Sequence, residues 1–335
     1  MQSRIVVLYL YFLFSLSLIL ILAAGLRTGG DPDYANYLDI YLKSQTEAVS
    51  VEPFYLYLNK LFYKLNIPFG FLMLIIAFLS IGIKAVVFYK KSPYYLSSLL
   101  IYLFTIFVQF DSIAIRQGLA ISLVMLAFMF VERKSLSIPI LLGASLFHVS
   151  ALIVLPMLFM VNIEYKKKLV FTFYSIVLIA TLLKFSLPIQ EYIFYFSNAP
   201  AFILERLLIY SSYTEASILS YKQLLILLIS ILVYFYCNAS KFIKSMCILY
   251  WYGCIVSILF SQIGDIAYRL KWYFFFSEAF FVPVFIYVVP LALGNYLLMR
   301  IIKAFTFFAC LIVLYVLPCI SFIVSIHERN HTLIF

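Results

Sequence analysis

At 335 residues, with 66% hydrophobic and 11% charged positions and a mean hydropathy of +1.08, the chain has too little polar surface to coat a soluble globule, and lipid is its expected solvent. The net charge of +10 comes from Lys and Arg scattered between apolar runs, which argues against a nucleic-acid-binding face and fits positive-inside loops. Period-2 alternation is missing and runs such as Leu99 to Val108 are apolar on every side, so an all-α, polytopic integral membrane protein is expected in place of an outer-membrane barrel.

The first apolar run, 5–26, follows a lone Arg4 and is longer than a usual signal-peptide core, so an uncleaved first span is expected. Further spans are predicted at 69–89, 94–110, 117–131, 169–187, 221–236, 246–263, 272–290 and 304–326. Basic clusters at Lys90 and Lys91, Arg133 and Lys134, Lys166 to Lys168, Lys241 and Lys244, and Arg300 and Lys303 mark one face as cytoplasmic. Keeping both Lys134 and Lys166 on that face needs an even number of crossings between them. The apolar run 136–161 is about one span long, so it is read as a hairpin of two short helices turning around His148. The total is about ten or eleven membrane helices in a single membrane domain, 1–335. Cys237, Cys247, Cys254, Cys310 and Cys319 lie in or beside spans and imply neither a disulfide nor a metal framework.

The opposite, outer face carries two long loops, 27–68 and 188–220, and short turns at 111–116 and 264–271. Ten of the 14 acidic residues fall there: Asp31, Asp33, Asp39, Glu47, Glu52, Asp111, Glu191, Glu205, Glu215 and Asp265, together with Arg27, Arg116, Arg206 and Arg269. Acidic residues steer topology weakly, so this enrichment asks for another cause, and a polar ligand at the outer face is the simplest. The stretch Pro53 to Leu65 groups Phe54, Leu58, Leu61, Phe62 and Leu65 on one helical face, as an interfacial helix does. Tyr34, Tyr37, Tyr41, Tyr210 and Tyr213 are available either to stack on sugar rings or to anchor the interface.

Six features are candidates to carry chemistry. Arg116 opens a span with Gln117 and Gly118, so a guanidinium stands beside a helix N-terminus at the lipid boundary; it either binds an anion or snorkels against Asp111. The run Arg27-Thr28-Gly29-Gly30-Asp31-Pro32-Asp33-Tyr34 combines an oxyanion grip with glycines that admit a ligand, or else forms a tight turn. His148, in Phe147-His148-Val149-Ser150, is the histidine of the apolar body and has to find a partner there, as a general base, a proton relay or an interhelical hydrogen bond. Asp265 and Arg269 are four apart and able to pair, Glu52 precedes Pro53 as a helix-start acid, and Glu278 within an apolar span is expected to face the interior. No phosphate loop, metal-ligand spacing or nucleophile elbow is present in the sequence.

Taken in order, Gly29 to Asp31 with Tyr34 and Tyr37, Glu52 at the next helix start, Ile115-Arg116-Gln117 at a span entrance and Phe147-His148-Val149-Ser150 resemble the EpsG-like branch of bacterial polysaccharide polymerases, which includes the Wzy-type O-antigen polymerases. The resemblance is carried mainly by residues 27–160, with Arg269 beyond. It implies a GT-C-like glycosyltransferase of the bacterial inner membrane, without metal or cofactor, that polymerises undecaprenyl-diphosphate-linked oligosaccharide repeat units. Its partners would be that lipid-linked glycan, membrane lipid and a chain-length regulator. Arg116, Arg27 and Arg269 would hold the diphosphate, His148 or Asp31 would take the proton of the attacking hydroxyl, and Glu52, Tyr34, Tyr37 and Gln117 would contact sugar. The competing class is a transporter or flippase, which would carry charges near the midplane and an internal repeat; here the charges crowd at the outer boundary.

Overall fold

The computed structural model describes residues 2–29, 31, 33–46, 49, 51–183, 219–261, 264–288, 305–306 and 308–332. Regular structure among them is entirely helical, the one open arrangement that satisfies every backbone N–H and C=O within lipid. In chain order the helices are α1 (Gln2–Gly25), α2 (Tyr34–Lys43), α3 (Pro53–Lys64), α4 (Phe69–Lys91), α5 (Tyr95–Tyr102), α6 (Ile115–Met129), α7 (Lys134–Ser145), α8 (Met157–Met160), α9 (Lys167–Leu182), α10 (Tyr221–Tyr236), α11 (Lys241–Leu259), α12 (Gly264–Phe275), α13 (Glu278–Val288) and α14 (Leu317–Thr332). Two π-helical stretches, Leu103–Asp111 and Ile312–Val316, continue α5 and precede α14, and a 3-10 turn spans Val149–Val154.

Local sequence explains many of the ends. Pro53 occupies the first turn of α3, where its missing N–H has no intrahelical role. Ser220 and Gln223 form a reciprocal capping box at α10, and the Ser240 hydroxyl accepts from Ile243 N at the start of α11. After α3, Asn66 takes a left-handed φ of 54°, which Asn tolerates better than other side chains and which turns the chain into α4.

Three helices among the described residues are long and apolar enough to cross a membrane: Phe69–Lys91, Lys241–Leu259 and Phe308–Ile326. A fourth crossing is available if Ile266–Phe275 and Glu278–Val288, bent by 51°, form one broken span. The other predicted spans within the described residues are shorter apolar helices, among them Leu13–Gly25, Tyr95–Asp111, Ile115–Met129 and Tyr221–Tyr236. The run 136–161 breaks where expected: α7 ends at Ser145, His148 lies in the following turn, and only short helical pieces come after it.

The segment expected as the first outer loop is largely helical, because α2 and α3 occupy most of 34–64. In α3 the buried face is Tyr55, Asn59 and Phe62, while Phe54, Tyr57 and Leu65 are exposed. Of the apolar face Phe54-Leu58-Leu61-Phe62-Leu65, Phe62 is buried and Phe54 and Leu65 are exposed, and the helix turns its polar-tipped Tyr55 and Asn59 inwards. The second expected loop, 188–220, lies outside the described residues save Leu219 and Ser220.

The chain forms two compact units, Met1–Leu152 with Phe308–Phe335, and Ile153–Phe307. In the first, α4 packs between α1 and α6, α6 packs on α7, and α2 and α3 lie together beside α4. In the second, α11 contacts α10, α12 and α13, with Tyr250 stacked on Phe275 at 4.5 Å between centroids.

Candidate functional site

The first unit gathers charged side chains from four segments of chain. Beyond the end of α1, Gly29 takes φ +122°, a conformation that costs a side-chain-bearing residue dearly and lets the chain double back. That turn brings Asp31 to Arg27, with 3.4 Å between Oδ2 and Nε and both side chains largely buried. From the same guanidinium, Nη2 donates to the Ile113 carbonyl at 3.3 Å. Asp31 Oδ1 accepts from Asp33 N at 3.1 Å, closing an Asx turn just before α2.

Arg116, in the first turn of α6, is ion-paired through Nη1 with Glu52 at the start of α3. Its guanidinium lies 5.6 Å from the Tyr37 ring centroid and 5.4 Å from that of Tyr55, which are themselves edge to face at 6.1 Å. Tyr37 and Tyr55 are 4% and 0% exposed, so the cation–π contacts act in a desolvated setting, where each is worth about 2 kcal/mol. Asn59, one turn along α3, donates from Nδ2 to the Tyr55 carbonyl at 2.7 Å and holds that ring's helix turn.

Tyr37 and Tyr55 also interact electrostatically with Arg27. Burial lowers the Arg27 pKa from its ordinary value, against the pull of Asp31. Burial likewise raises the Asp31 carboxyl, partly offset by Arg27, and raises the Tyr55 phenol. Arg116 Nε and Arg27 Nη1 have no hydrogen-bond partner among the described residues. Buried donors are rarely left so, and a guanidinium with a spare N–H group has the chemistry to take an oxyanion.

One expectation is overturned. Asp111 is not in a turn and is not a partner of Arg116; it ends the π-helical stretch and is 2% exposed. The extra residue per turn of the π-helix rotates its carboxylate inwards, onto Lys84 of α4 at 2.7 Å. Lys84 went unnoticed in the sequence, although a lone ammonium deep in an apolar span is the signal that ought to draw attention. Tyr55, Asn59, Ser80 and Tyr102 were also missed; as polar-tipped residues in apolar helices they carry no periodic signal of their own.

The other expected site residues are dispersed. Tyr34 is half-buried with its ring edge to face on Phe69 at 5.6 Å, and Gln117 is fully buried beside Arg116 in α6. His148 Nδ1 is 2.5 Å from Ser150 Oγ. The preceding Phe147 packs on Phe54 at 5.0 Å, and Phe54 N donates to the Leu146 carbonyl at 3.3 Å, so the histidine turn is anchored to the first turn of α3, next to Glu52. Arg269 belongs to the second unit, half-buried on α12; the Asp265 side chain lies outside the described residues, as do Arg206, Tyr210 and Tyr213. Glu278 faces the interior as expected, 3% exposed, with Lys222 at 3.9 Å. A mainly apolar cavity of about 190 Å³, lined by Tyr165, Trp251 and Tyr252 among others, lies in the second unit and has no charged lining residue.

Comparison with known proteins agrees with the motifs. The profile of the EpsG family matches residues 10–333, nearly the whole chain. No curated protein and no solved structure matches significantly.

Proposed function

The chain belongs to the EpsG family, and from that premise we propose that it is a membrane polysaccharide polymerase: a metal-independent, GT-C-like glycosyltransferase that joins undecaprenyl-diphosphate-linked repeat units into O-antigen or exopolysaccharide at the outer face of a bacterial inner membrane. The observation that carries the reading is the pair of largely buried arginines, each with an unspent N–H donor, one of them held between two buried tyrosines and the other coupled to the same tyrosines electrostatically. A lipid diphosphate is a leaving group whose charge grows as the glycosidic carbon is attacked, and two guanidinium groups fixed in a desolvated setting suit it.

In this reading the acceptor hydroxyl loses its proton to Asp31 or His148, its oxygen forms a bond to the anomeric carbon, and the bond from that carbon to the diphosphate oxygen breaks with its electron pair passing to the phosphate. Arg116 and Arg27 stabilise that charge, and Arg269 is a third candidate for the same task. Tyr34, Tyr37, Gln117 and Glu52 border the sugars. Arg116 is neutralised by Glu52, so the arriving phosphate competes with this carboxylate, and the exchange frees Glu52 to accept from a sugar hydroxyl. The acidic residues and arginines that the sequence gathers in the expected outer loops favour this reading over a carrier, whose charges would line a midplane path.

Removing the gene from a strain that makes the polymer tests it. The strain should still export single repeat units and fail to extend them, with extension restored by the wild-type chain. Loss of even the single unit from the surface would assign the chain to flipping, and an unchanged ladder would refute the polymerase reading.

A further inference from the structure

A heavily engaged polar side chain in the first unit lies outside the arginine site. Lys84, 0% exposed in α4, donates from Nζ to Asp111 Oδ1 at 2.7 Å and Oδ2 at 3.0 Å, to Ser80 Oγ at 2.8 Å and to the Gly118 carbonyl at 2.8 Å. The carboxylate is saturated in turn: Ser80 Oγ donates to Oδ1 at 2.5 Å and the Tyr102 hydroxyl to Oδ2 at 2.6 Å. A buried pair of this kind is weak evidence for stability, because apolar side chains of similar volume often do as well. What it supplies is a fixed arrangement.

The arrangement brackets Arg116. Asp111 precedes the turn 112–114 and Gly118 follows it, and one nitrogen of α4 holds both. Gly118 allows the turn to close: a Cβ there would stand 2.6 Å from the Phe110 carbonyl oxygen and 2.9 Å from Asp111 Oδ1. From the other side Arg27 holds the Ile113 carbonyl. The turn that presents Arg116 is thus held by Lys84 and Asp111 at its two ends and by the second arginine of the site at Ile113, while the Arg116 side chain itself pairs with Glu52.

We infer that Lys84 and Asp111 are positioning residues for Arg116: the buried pair sets the register of α6 against α4 and with it the place of the guanidinium between Tyr37, Tyr55 and Glu52. The inference rests on Arg116 acting on substrate, as proposed above. It also explains the π-helical stretch. Wound as an ordinary α-helix, the same stretch would turn Asp111 away from α4 and rotate the start of α6 around the helix axis.

The test replaces both members together, because either alone leaves an unpaired buried charge. Lys84→Met with Asp111→Asn, in the full-length chain reconstituted in lipid, should accumulate and elute as wild type. Amide exchange over residues 112–118 should quicken about tenfold or more, with α1 and α7 unchanged, and turnover on a lipid-linked repeat unit should fall roughly 10- to 100-fold, the scale of an ångström of misplacement. Adding Arg116→Ala to the double variant should cost little more than either change alone, the non-additivity expected when one acts through the other. Unchanged exchange over 112–118 overturns the inference whatever the activity, and so does full turnover by the double variant when Arg116→Ala by itself is inactive. Full turnover by Arg116→Ala refutes instead the assignment of Arg116 to the substrate, and the exchange result alone then decides whether the pair positions this turn. If the double variant does not accumulate, Tyr102→Phe removes one bond to the carboxylate and no charge, and should give the same pattern at smaller amplitude; its absence counts against the inference.

Discussion

Arg116 pairs with Glu52, 64 positions away in sequence, and not with the neighbouring Asp111. This separates the two readings of Arg116: an arginine merely snorkelling at the span entrance would use the nearest carboxylate, whereas this one reaches across to another helix and sits between two buried tyrosines. At matched protein level, Arg116→Ala should collapse the polymer ladder towards single units. Arg116→Lys, a point charge without the planar fork, should keep part of it. Loss of one charge-assisted contact, about 1.5–3 kcal/mol, corresponds to a rate lower by roughly 10- to 100-fold. A ladder of normal length in Arg116→Ala would move the diphosphate to Arg27 or Arg269.

Glu52 should matter to the fold as well as to the site. Both partners are mostly buried, at 16% and 6% exposure, so Glu52→Gln leaves a guanidinium without its counter-charge and should cost about 3 kcal/mol. The measurement is thermal unfolding of the purified chain in detergent. Glu52→Gln with Arg116→Gln should recover part of the loss, and equal destabilisation by the single and double variants would show that the two side chains do not depend on each other.

Gly118→Ala adds one methyl where the Phe110 carbonyl oxygen stands at 2.6 Å from the Cβ position. Backbone cannot yield as a side-chain tip can, so overpacking of about 1–3 kcal/mol is expected. The variant should unfold at lower temperature than Gly143→Ala, a helical glycine whose Cβ meets nothing within 4 Å. Equal unfolding temperatures would mean that the turn is not closed on Gly118.

The pH dependence of chain extension distinguishes the two candidate bases. A base acts only when deprotonated, so activity falls as pH drops through its pKa. Burial raises the Asp31 carboxyl, so an acid limb above the ordinary aspartate range and lost in Asp31→Asn gives Asp31 the role. An acid limb abolished by His148→Asn while Asp31→Asn leaves it in place gives the role to His148. Profiles unmoved by either substitution would send the search to Glu52.

The sidedness inferred from the basic clusters is open to direct measurement. Single cysteines at positions 90, 134, 168 and 244, in a background without Cys237, Cys247, Cys254, Cys310 and Cys319, should resist a membrane-impermeant thiol reagent in intact cells. Ready labelling at 168 alone would mean that 136–161 crosses the membrane once.

Composition and span-length apolar runs determined by themselves that this chain is helical and belongs in a membrane, because transfer of so much apolar surface and the need to satisfy backbone in lipid leave few other solutions. Short motifs that survive as strings, Gly29 to Asp31, Ile115-Arg116-Gln117 and Phe147-His148-Val149-Ser150, were enough to bring the family into view, and the family profile bears it out. Pairing was another matter. Whether Arg116 meets Asp111 or Glu52 depends on which way the residues before α6 are wound, and one π-helical stretch decides it by turning Asp111 onto Lys84. The inward face of α3 was decided in the same way. Phe54, Leu58 and Leu61 are the more hydrophobic choice, yet Tyr55 and Asn59 are buried, because a desolvated guanidinium gains more from aromatic faces than an aliphatic face gains where lipid is available as an equally apolar alternative. In lipid the hydrophobic pattern sorts residues between membrane and water but not between lipid and protein, and only the tertiary structure makes that second choice.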